Sequence, residues 1–192
     1  MSPKTCHYYV INKPYGMLSQ FTDRDGRKTL ADICNFPKDV YSVGRLDFDS
    51  EGLLLLTNDK LLTDYLLNPK NSHEREYYVQ VEGVPDEDGL NKLRDGVIIQ
   101  EKITLPAKAN LIDDPGFKPR IPPIRIRQNM PLSWLSLTLV EGRNRQVRKM
   151  TASIGHPTLR LVRVRIKNIK LDNLMPGEYR KLQPEEISAL TK

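Results

Sequence analysis

At 192 residues and 22.1 kDa, the chain is long enough for one substantial core or two small lobes, but too short for several independent domains. Its 39% hydrophobic and 28% charged residues are typical of a soluble globular protein and exclude a disordered chain. No stretch approaches the roughly 18 apolar residues of a membrane span, and the first ten residues lack the apolar segment of a signal peptide.

Hydrophobic periodicity and turn residues predict more strands than helices, without a regular alternation of the two. Asn58 is the expected N-cap of a helix that follows the buried leucines Leu53 to Leu56. We therefore predict an α+β fold on a mixed, mostly antiparallel sheet flanked by helices and loops. In chain order, the expected elements are a strand at 7–12, a helical turn at 29–34, strands at 40–43 and 52–57, a helix at 59–67, a strand at 75–82, a helix at 85–94, strands at 97–99, 107–112, 124–128 and 134–140, a helix at 144–154, a strand at 158–166 and a helix at 184–190.

The net charge of +6 is concentrated in one segment near the C-terminus. Residues 143–170 contain nine basic side chains and no acidic one, whereas the rest of the chain holds 21 basic and 24 acidic residues, a net of −3. Because like charges repel on an ordinary solvated face, an extended polyanion is the natural partner. The basic residues lie at strand-like positions and not on an amphipathic helix, which favours nucleic acid over an anionic membrane.

Several enzyme classes find no support in the sequence. Neither a phosphate-binding Gly-x-x-x-x-Gly-Lys loop, nor a Gly-x-Gly-x-x-Gly dinucleotide motif, nor His-Glu-x-x-His is present. The three histidines lie far apart, so we expect no metal site. Cys6 and Cys34 form no Cys-x-x-Cys pair, which is consistent with a reducing compartment, the cytoplasm by default.

An acidic loop with the sequence GRLDFDSEGLLLLTND, residues 44–59, is the most unusual segment. Asp47, Asp49 and Glu51 imitate the first half of a calcium-binding EF-hand loop, but Asn58 stands where that loop requires a bidentate glutamate. Two carboxylates could also serve a glycosidase. The remaining alternative is a solvated turn before a buried strand.

Together with five other segments, this loop resembles the pseudouridine synthases of the small-subunit rRNA type. The other segments are YVINKPYGM at 9–17, REYYVQVEG at 75–83, EGRNRQVRKM at 141–150, and the closing strands around 161–163 and 177–182. Several ordered motifs over about 170 residues are far more specific than any one of them. The resemblance implies that the chain is a single pseudouridine synthase catalytic domain over residues 1–192, with two sub-lobes at about 7–65 and 66–192 as an alternative.

The resemblance also implies roles for individual residues. Asp47 would be the catalytic residue, Tyr77 would pack on the target base, and Arg148 would pair with Asp47. Taken alone, Tyr77 is more typical of a core-facing strand aromatic, and its proposed role rests on its place in the motif. Arg75 stands where the motif usually has lysine, so no catalytic role is assigned to it. The expected RNA-binding residues are Arg45, Arg143, Arg145, Lys149 and Arg163.

Isomerising uridine breaks an N-glycosidic bond and reattaches the uracil through carbon, with no redox change, so no cofactor is expected. The resemblance begins near His7 and leaves no room for an N-terminal S4 RNA-binding domain. Since the branch without that domain acts on the large subunit, 23S rRNA is the expected substrate and small-subunit rRNA the alternative. No sequence feature suggests an obligate dimer, and we expect a monomer. The competing functions are an inactive RNA-binding or ribosome-assembly module and a hydrolase that releases uracil or sugar.

Overall fold

The computed structural model describes residues 5–125, 127 and 129–191. These residues form eleven strands and four α-helices, together with two short 3-10 turns. The elements are β1 (Tyr8–Lys13), β2 (Tyr41–Ser42), β3 (Glu51–Thr57), α1 (Lys60–Leu67), β4 (Arg75–Glu82), α2 (Glu87–Asp95), β5 (Ile98–Ile99), β6 (Lys102–Ile103), β7 (Lys108–Ile112), β8 (Leu132–Leu139), α3 (Gln146–Ser153), β9 (Thr158–Ile166), β10 (Ile169–Lys170), β11 (Tyr179–Lys181) and α4 (Pro184–Leu190).

The chain divides into two compact units, and the first combines its two ends: Met1–Asn71 and Arg165–Lys192. In this unit β1 pairs antiparallel with both β3 and β11. All seven residues of β3 are buried, which confirms the strand predicted from the leucine run. Because β11 pairs with β1, the last 28 residues belong with the N-terminal part of the chain. The alternative boundaries, 7–65 and 66–192, placed these residues in the second lobe.

The N-cap of α1 differs from the prediction. Asp59 caps the helix, its carboxylate accepting the Leu62 N–H at 3.1 Å. The Asn58 side chain instead accepts the His7 N–H at 2.8 Å and donates to the Thr5 carbonyl at 3.0 Å. Asn58 and Asp59 are both good capping residues. Because the Asn58 side chain is hydrogen-bonded to the chain at the start of β1, Asp59 caps the helix.

The second unit, Ser72–Val164, contains strands in the order β9, β4, β8, β7. β4 pairs antiparallel with β8 over its full length. β7 also pairs antiparallel with β8, along part of that strand. Val79 and Val81 of β4 are fully buried in a core to which α2 and α3 contribute, and Tyr77 packs against that core. The predicted strand at 75–82 and its inward face are thus confirmed.

One predicted strand is not formed in the part of the segment that the structure describes. Ile124, Arg125 and Arg127 lie in irregular chain, while Ile126 and Gln128 fall outside the described residues. The preceding Pro122 and Pro123 have no N–H to donate to a neighbouring strand, and the surrounding side chains are mostly exposed. Among the described residues of this stretch, the alternating sequence therefore gains no strand pairing and little burial.

The fold is α+β, with a mostly antiparallel sheet, as predicted. The helices position two of the motifs named above, since α3 contains the second half of 141–150 and α1 follows directly from the acidic loop. No helix in the described ranges is long and apolar enough to cross a membrane.

Candidate active site

Asp47 lies half-buried in the loop between β2 and β3 of the first unit, and hydrogen bonds hold the backbone on both sides of it. The Ser19 hydroxyl accepts the Leu46 N–H at 3.0 Å and donates to the Leu46 carbonyl at 2.8 Å. The Asp47 carbonyl accepts the Ser50 N–H at 3.0 Å, which closes a turn. Hydrogen bonds therefore define the backbone of the acidic loop around Asp47.

The segment after β1 supports the same loop. The Gly16 N–H donates to the Phe48 carbonyl, one residue beyond Asp47, at 2.9 Å. Lys13 is fully buried, and its ammonium donates to the Pro14 carbonyl at 3.0 Å and the Met17 carbonyl at 2.8 Å. Two motifs that are 35 residues apart in the sequence thus form one substructure of the first unit.

Lys13 is a residue that the sequence analysis missed. A lysine is almost never fully buried unless several oxygens surround its ammonium. The available signal was its position at the end of a strand whose other residues, apart from Asn12, are apolar or aromatic, immediately before a turn. Here its ammonium hydrogen-bonds the carbonyls of that turn instead of facing solvent.

Arg45, the other predicted site residue of the first unit, is exposed beside Asp47. It follows Gly44, whose φ of +73° is in the left-handed region. A Cβ on Gly44 would also lie 3.1 Å from Leu67 Cδ2 of α1. The chain therefore needs glycine to turn into the acidic loop so close to the helix.

Tyr77, in β4 of the second unit, lies in a positively charged environment. Burial lowers the pKa of the Arg75 guanidinium, and the nearby charge of Arg163 lowers it further, while Tyr77 acts in the opposite direction. Arg75, left without a role in the sequence analysis, therefore interacts electrostatically with Tyr77 and with Arg163.

The remaining predicted residues of the second unit lie at the start of α3. Arg148 is half-buried, and its Nη1 donates to the Thr158 carbonyl at 3.4 Å. Lys149 donates to the Asn144 carbonyl at 2.7 Å. Arg145 is exposed and occupies the N-cap position with φ of 52° and ψ of 34°, in the left-handed region. The helix therefore begins two residues later than predicted.

The basic segment is less exposed than its composition indicates. Arg163, one of the expected RNA-binding residues, is only 4% exposed and is therefore a buried arginine. Arg160 is also buried, donating to the Lys118 carbonyl at 2.9 Å with its guanidinium 5.4 Å from the Phe117 ring centroid. Arg143 is engaged with Glu141 and two backbone carbonyls. Burial of arginine is possible here because carbonyl oxygens and an aromatic face replace water.

Within the described residues, no group of three or more histidine, cysteine, aspartate or glutamate side chains is arranged to hold a metal ion. Asp47 and Arg45 belong to the first unit, and Tyr77, Arg143, Arg145, Arg148, Lys149 and Arg163 belong to the second.

Comparisons with known proteins agree on one family. The family described as RNA pseudouridylate synthase matches residues 7–153. Ribosomal large subunit pseudouridine synthase E of Vibrio parahaemolyticus is 55% identical over 174 residues, which cover 91% of this chain and 73% of that protein. The protein of the same name from Xanthomonas axonopodis pv. citri is 51% identical over 170 residues, covering 87% and 89%. A solved structure described as pseudouridylate synthase has a TM-score of 0.82 and 29% identity, covering 99% of this chain and 76% of its own.

Proposed function

This chain belongs to the RNA pseudouridylate synthase family, a family of isomerases, and we propose that it converts a specific uridine of 23S rRNA to pseudouridine with Asp47 as the catalytic residue. The observation that carries the proposal is the backbone on either side of Asp47, which is held by Ser19, Ser50 and Gly16. A preorganised loop is what a reaction needs when one carboxylate must meet one atom of the substrate. The relatives named as large-subunit enzymes support 23S rRNA as the substrate, with small-subunit rRNA as the alternative.

The chemistry requires an ionised carboxylate at Asp47. The carboxylate attacks the ribose C1′ or the uracil C6, or it stabilises positive charge at C1′ while the glycosidic bond breaks. In each route the uracil turns within the site and rejoins the ribose through carbon. Arg148 is proposed to favour the charged form of Asp47, because a cation close to a carboxylate offsets the cost of its desolvation.

Tyr77 is proposed to stack on the target uracil once the nucleotide is extruded from the RNA. Its surroundings support this role. Arg75 places positive charge near Tyr77 and Arg163 places it near Arg75, which is compatible with an anionic RNA strand and with negative charge that develops on the departing uracil. Buried Arg163 is accordingly proposed to act on the reacting nucleotide and not on phosphates at the surface.

Phosphate contacts are assigned to Arg45, Arg145 and Lys149, which are exposed or half-exposed. Arg145 supports this assignment through its exposure, since it lies at the N-cap of α3 with its side chain open to solvent. We further propose that the enzyme acts in the cytoplasm as a monomer.

The test is to incubate unmodified 23S rRNA with the parent protein and with Asp47→Asn, and to map pseudouridine. We expect the parent to modify a single site and the variant to make no product, while its affinity for the RNA stays close to that of the parent. Asp49→Asn is the matched control, because it removes the same charge from the same loop, and it should retain turnover.

The outcomes separate the competing functions. A parent that binds 23S rRNA but makes no pseudouridine would be an inactive RNA-binding module. Release of free uracil would indicate a hydrolase. Product from Asp47→Asn at the rate of the parent would refute the role of Asp47, and modification of 16S rRNA alone would refute the choice of substrate.

A further inference from the structure

Three residues of the second unit form a closed set of hydrogen bonds just before Arg148. Gln146 Nε2 donates to Glu141 Oε1 at 2.6 Å, and Gln146 Oε1 accepts the Arg143 N–H at 2.9 Å. Glu141 Oε2 accepts from Arg143 Nε at 3.0 Å. Each of the three residues is thus bonded to the other two, and the side chains of Glu141 and Gln146 cannot reorient without breaking two of these bonds.

The same set holds the β5–β6 hairpin. The Arg143 guanidinium donates to the carbonyls of Lys102 at 3.2 Å and Ile103 at 2.6 Å, and Glu141 Oε1 accepts the Leu105 N–H at 2.9 Å. The hairpin has only two residues in each strand, and the paired side chains of Ile98 and Ile103 are 71% and 63% exposed. Burial of these side chains therefore contributes little, and the polar bonds attach the hairpin to the start of α3.

Arg145 lies between the bonded residues and determines where α3 begins. Its left-handed backbone carries an intrinsic cost of about 1–2 kcal/mol for a residue with a Cβ. Arg143 and Gln146 are bonded to each other across this residue, which holds the conformation in place. Side chains leave a helix at fixed angular intervals, counted from its first residue. The position at which α3 begins therefore also determines where the Arg148 side chain is directed.

We propose that Arg143 is a positioning residue: with Glu141 and Gln146 it fixes the start of α3 and thereby the orientation of Arg148, and it does not serve as a phosphate contact. The inference rests on the proposed function, since it requires Arg148 to act in catalysis. It revises the RNA-binding role that the sequence predicted for Arg143. Lysine cannot replace arginine in this role, because a single ammonium cannot reproduce a fork that reaches one carboxylate and two carbonyls.

The test compares Arg143→Lys with the parent in single-turnover reactions at saturating 23S rRNA, alongside the RNA Kd and its salt dependence. We expect the rate to fall about 10- to 100-fold, as for a small misplacement of a catalytic group, with a Kd within about twofold of the parent. Lys102→Gln is the control: it removes a positive charge from the same hairpin but keeps the carbonyl, and its rate should match that of the parent. Arg145→Ala shows that the affinity assay responds, because loss of a phosphate contact should reduce the salt slope by about one.

A parent-like rate for Arg143→Lys would overturn the inference. So would a weaker Kd and a smaller salt slope in Arg143→Ala at an unchanged saturating rate, since that result identifies a phosphate contact. If Arg143→Ala does not fold, Arg143→Lys and Glu141→Gln decide the question, and both should lose rate at parent-like affinity. A parent that makes no pseudouridine would refute the proposed function itself, whereas an active parent with an active Arg143→Lys refutes only the positioning role.

Phe48 carries a second, independent inference, which also rests on the proposed function. It directly follows Asp47 and is 41% exposed, although its backbone carbonyl is fixed by Gly16. The ring lies over the turn, with Cζ 3.9 Å from the position of a Cβ on Gly16. We infer that Phe48 is a preset stacking surface for a base of the substrate RNA.

Because stacking requires an aromatic ring, Phe48→Leu should raise the Kd for 23S rRNA about 5- to 150-fold, and Phe48→Tyr should restore most of the affinity. Leucine is apolar but has no ring, whereas tyrosine keeps the ring. Comparing Phe48→Leu with Phe48→Tyr therefore separates stacking from simple hydrophobic contact. A Kd within twofold of the parent for Phe48→Leu would refute the inference. The turnover of the parent tests the proposed function separately.

Discussion

Arg145 permits a quantitative test of the structure at the start of α3. Arg145→Gly and Arg145→Ala both delete the side chain, so any contact that the arginine makes is lost equally in both. The two variants differ only in the Cβ, which meets a left-handed backbone with φ of 52°. Their difference in stability therefore reports the backbone conformation alone.

The magnitude follows from two opposing effects. A residue with a Cβ costs about 1–2 kcal/mol in the left-handed region. Glycine makes the unfolded chain more flexible, which lowers the free energy of unfolding by about 0.4–1 kcal/mol. We expect Arg145→Gly to be the more stable variant by about 1 kcal/mol, helped by the preference for glycine over alanine at N-caps. For a domain of this size, that is about 2–4 °C in melting temperature.

The assay is urea unfolding at neutral pH, with the free energy extrapolated to water and the slopes compared. Binding of 23S rRNA is measured on the same samples, and both variants should lose affinity equally. If alanine proves as stable as glycine, residue 145 is not left-handed in solution, and the proposed role of the hydrogen bonds around it fails. If the two variants differ in RNA affinity, the backbone itself contributes to binding.

Three further predictions concern stability. Lys13→Met should lower the free energy of unfolding by about 2–3 kcal/mol, because the Pro14 and Met17 carbonyls lose a charged donor; an unchanged urea midpoint would contradict this. Gly96→Ala should cost at least about 2 kcal/mol, since the new Cβ would lie 2.5 Å from the Thr104 carbonyl oxygen at a φ of +105°, and a melting temperature equal to that of the parent would refute it. The ion pair with Arg180 lowers the pKa of Glu186 in the folded state, so its stabilisation is present above the ordinary glutamate pKa and is lost as the pH falls through the folded value. Glu186→Gln should therefore reduce the loss of stability between about pH 5 and pH 3, and identical acid profiles for parent and variant would argue against the pair.

Much of the fold could be predicted because its signals are local. The strand at 75–82 alternates core-facing and outward residues, and the helix at 184–190 begins with proline, whose fixed φ suits a first helical turn. The leucine run of β3 needs no partner to be recognised as a buried strand. The family, too, could be inferred from ordered motifs, and the comparisons confirm it.

The sequence by itself determined which chemical groups are available: the carboxylates of an acidic loop, the aromatic side chains of a strand later in the chain, and the guanidinium groups of a segment rich in arginine. Only the tertiary structure decided which of those arginines meet solvent. Arg160 finds its carbonyl partner 42 residues away and Arg143 finds one 41 residues away, and the burial of Lys13 depends on how its strand leads into a turn. A charged side chain is the same in sequence whether it is solvated or enclosed. Its environment is set by backbone oxygens that folding brings to it from distant parts of the chain, and composition carries no record of them.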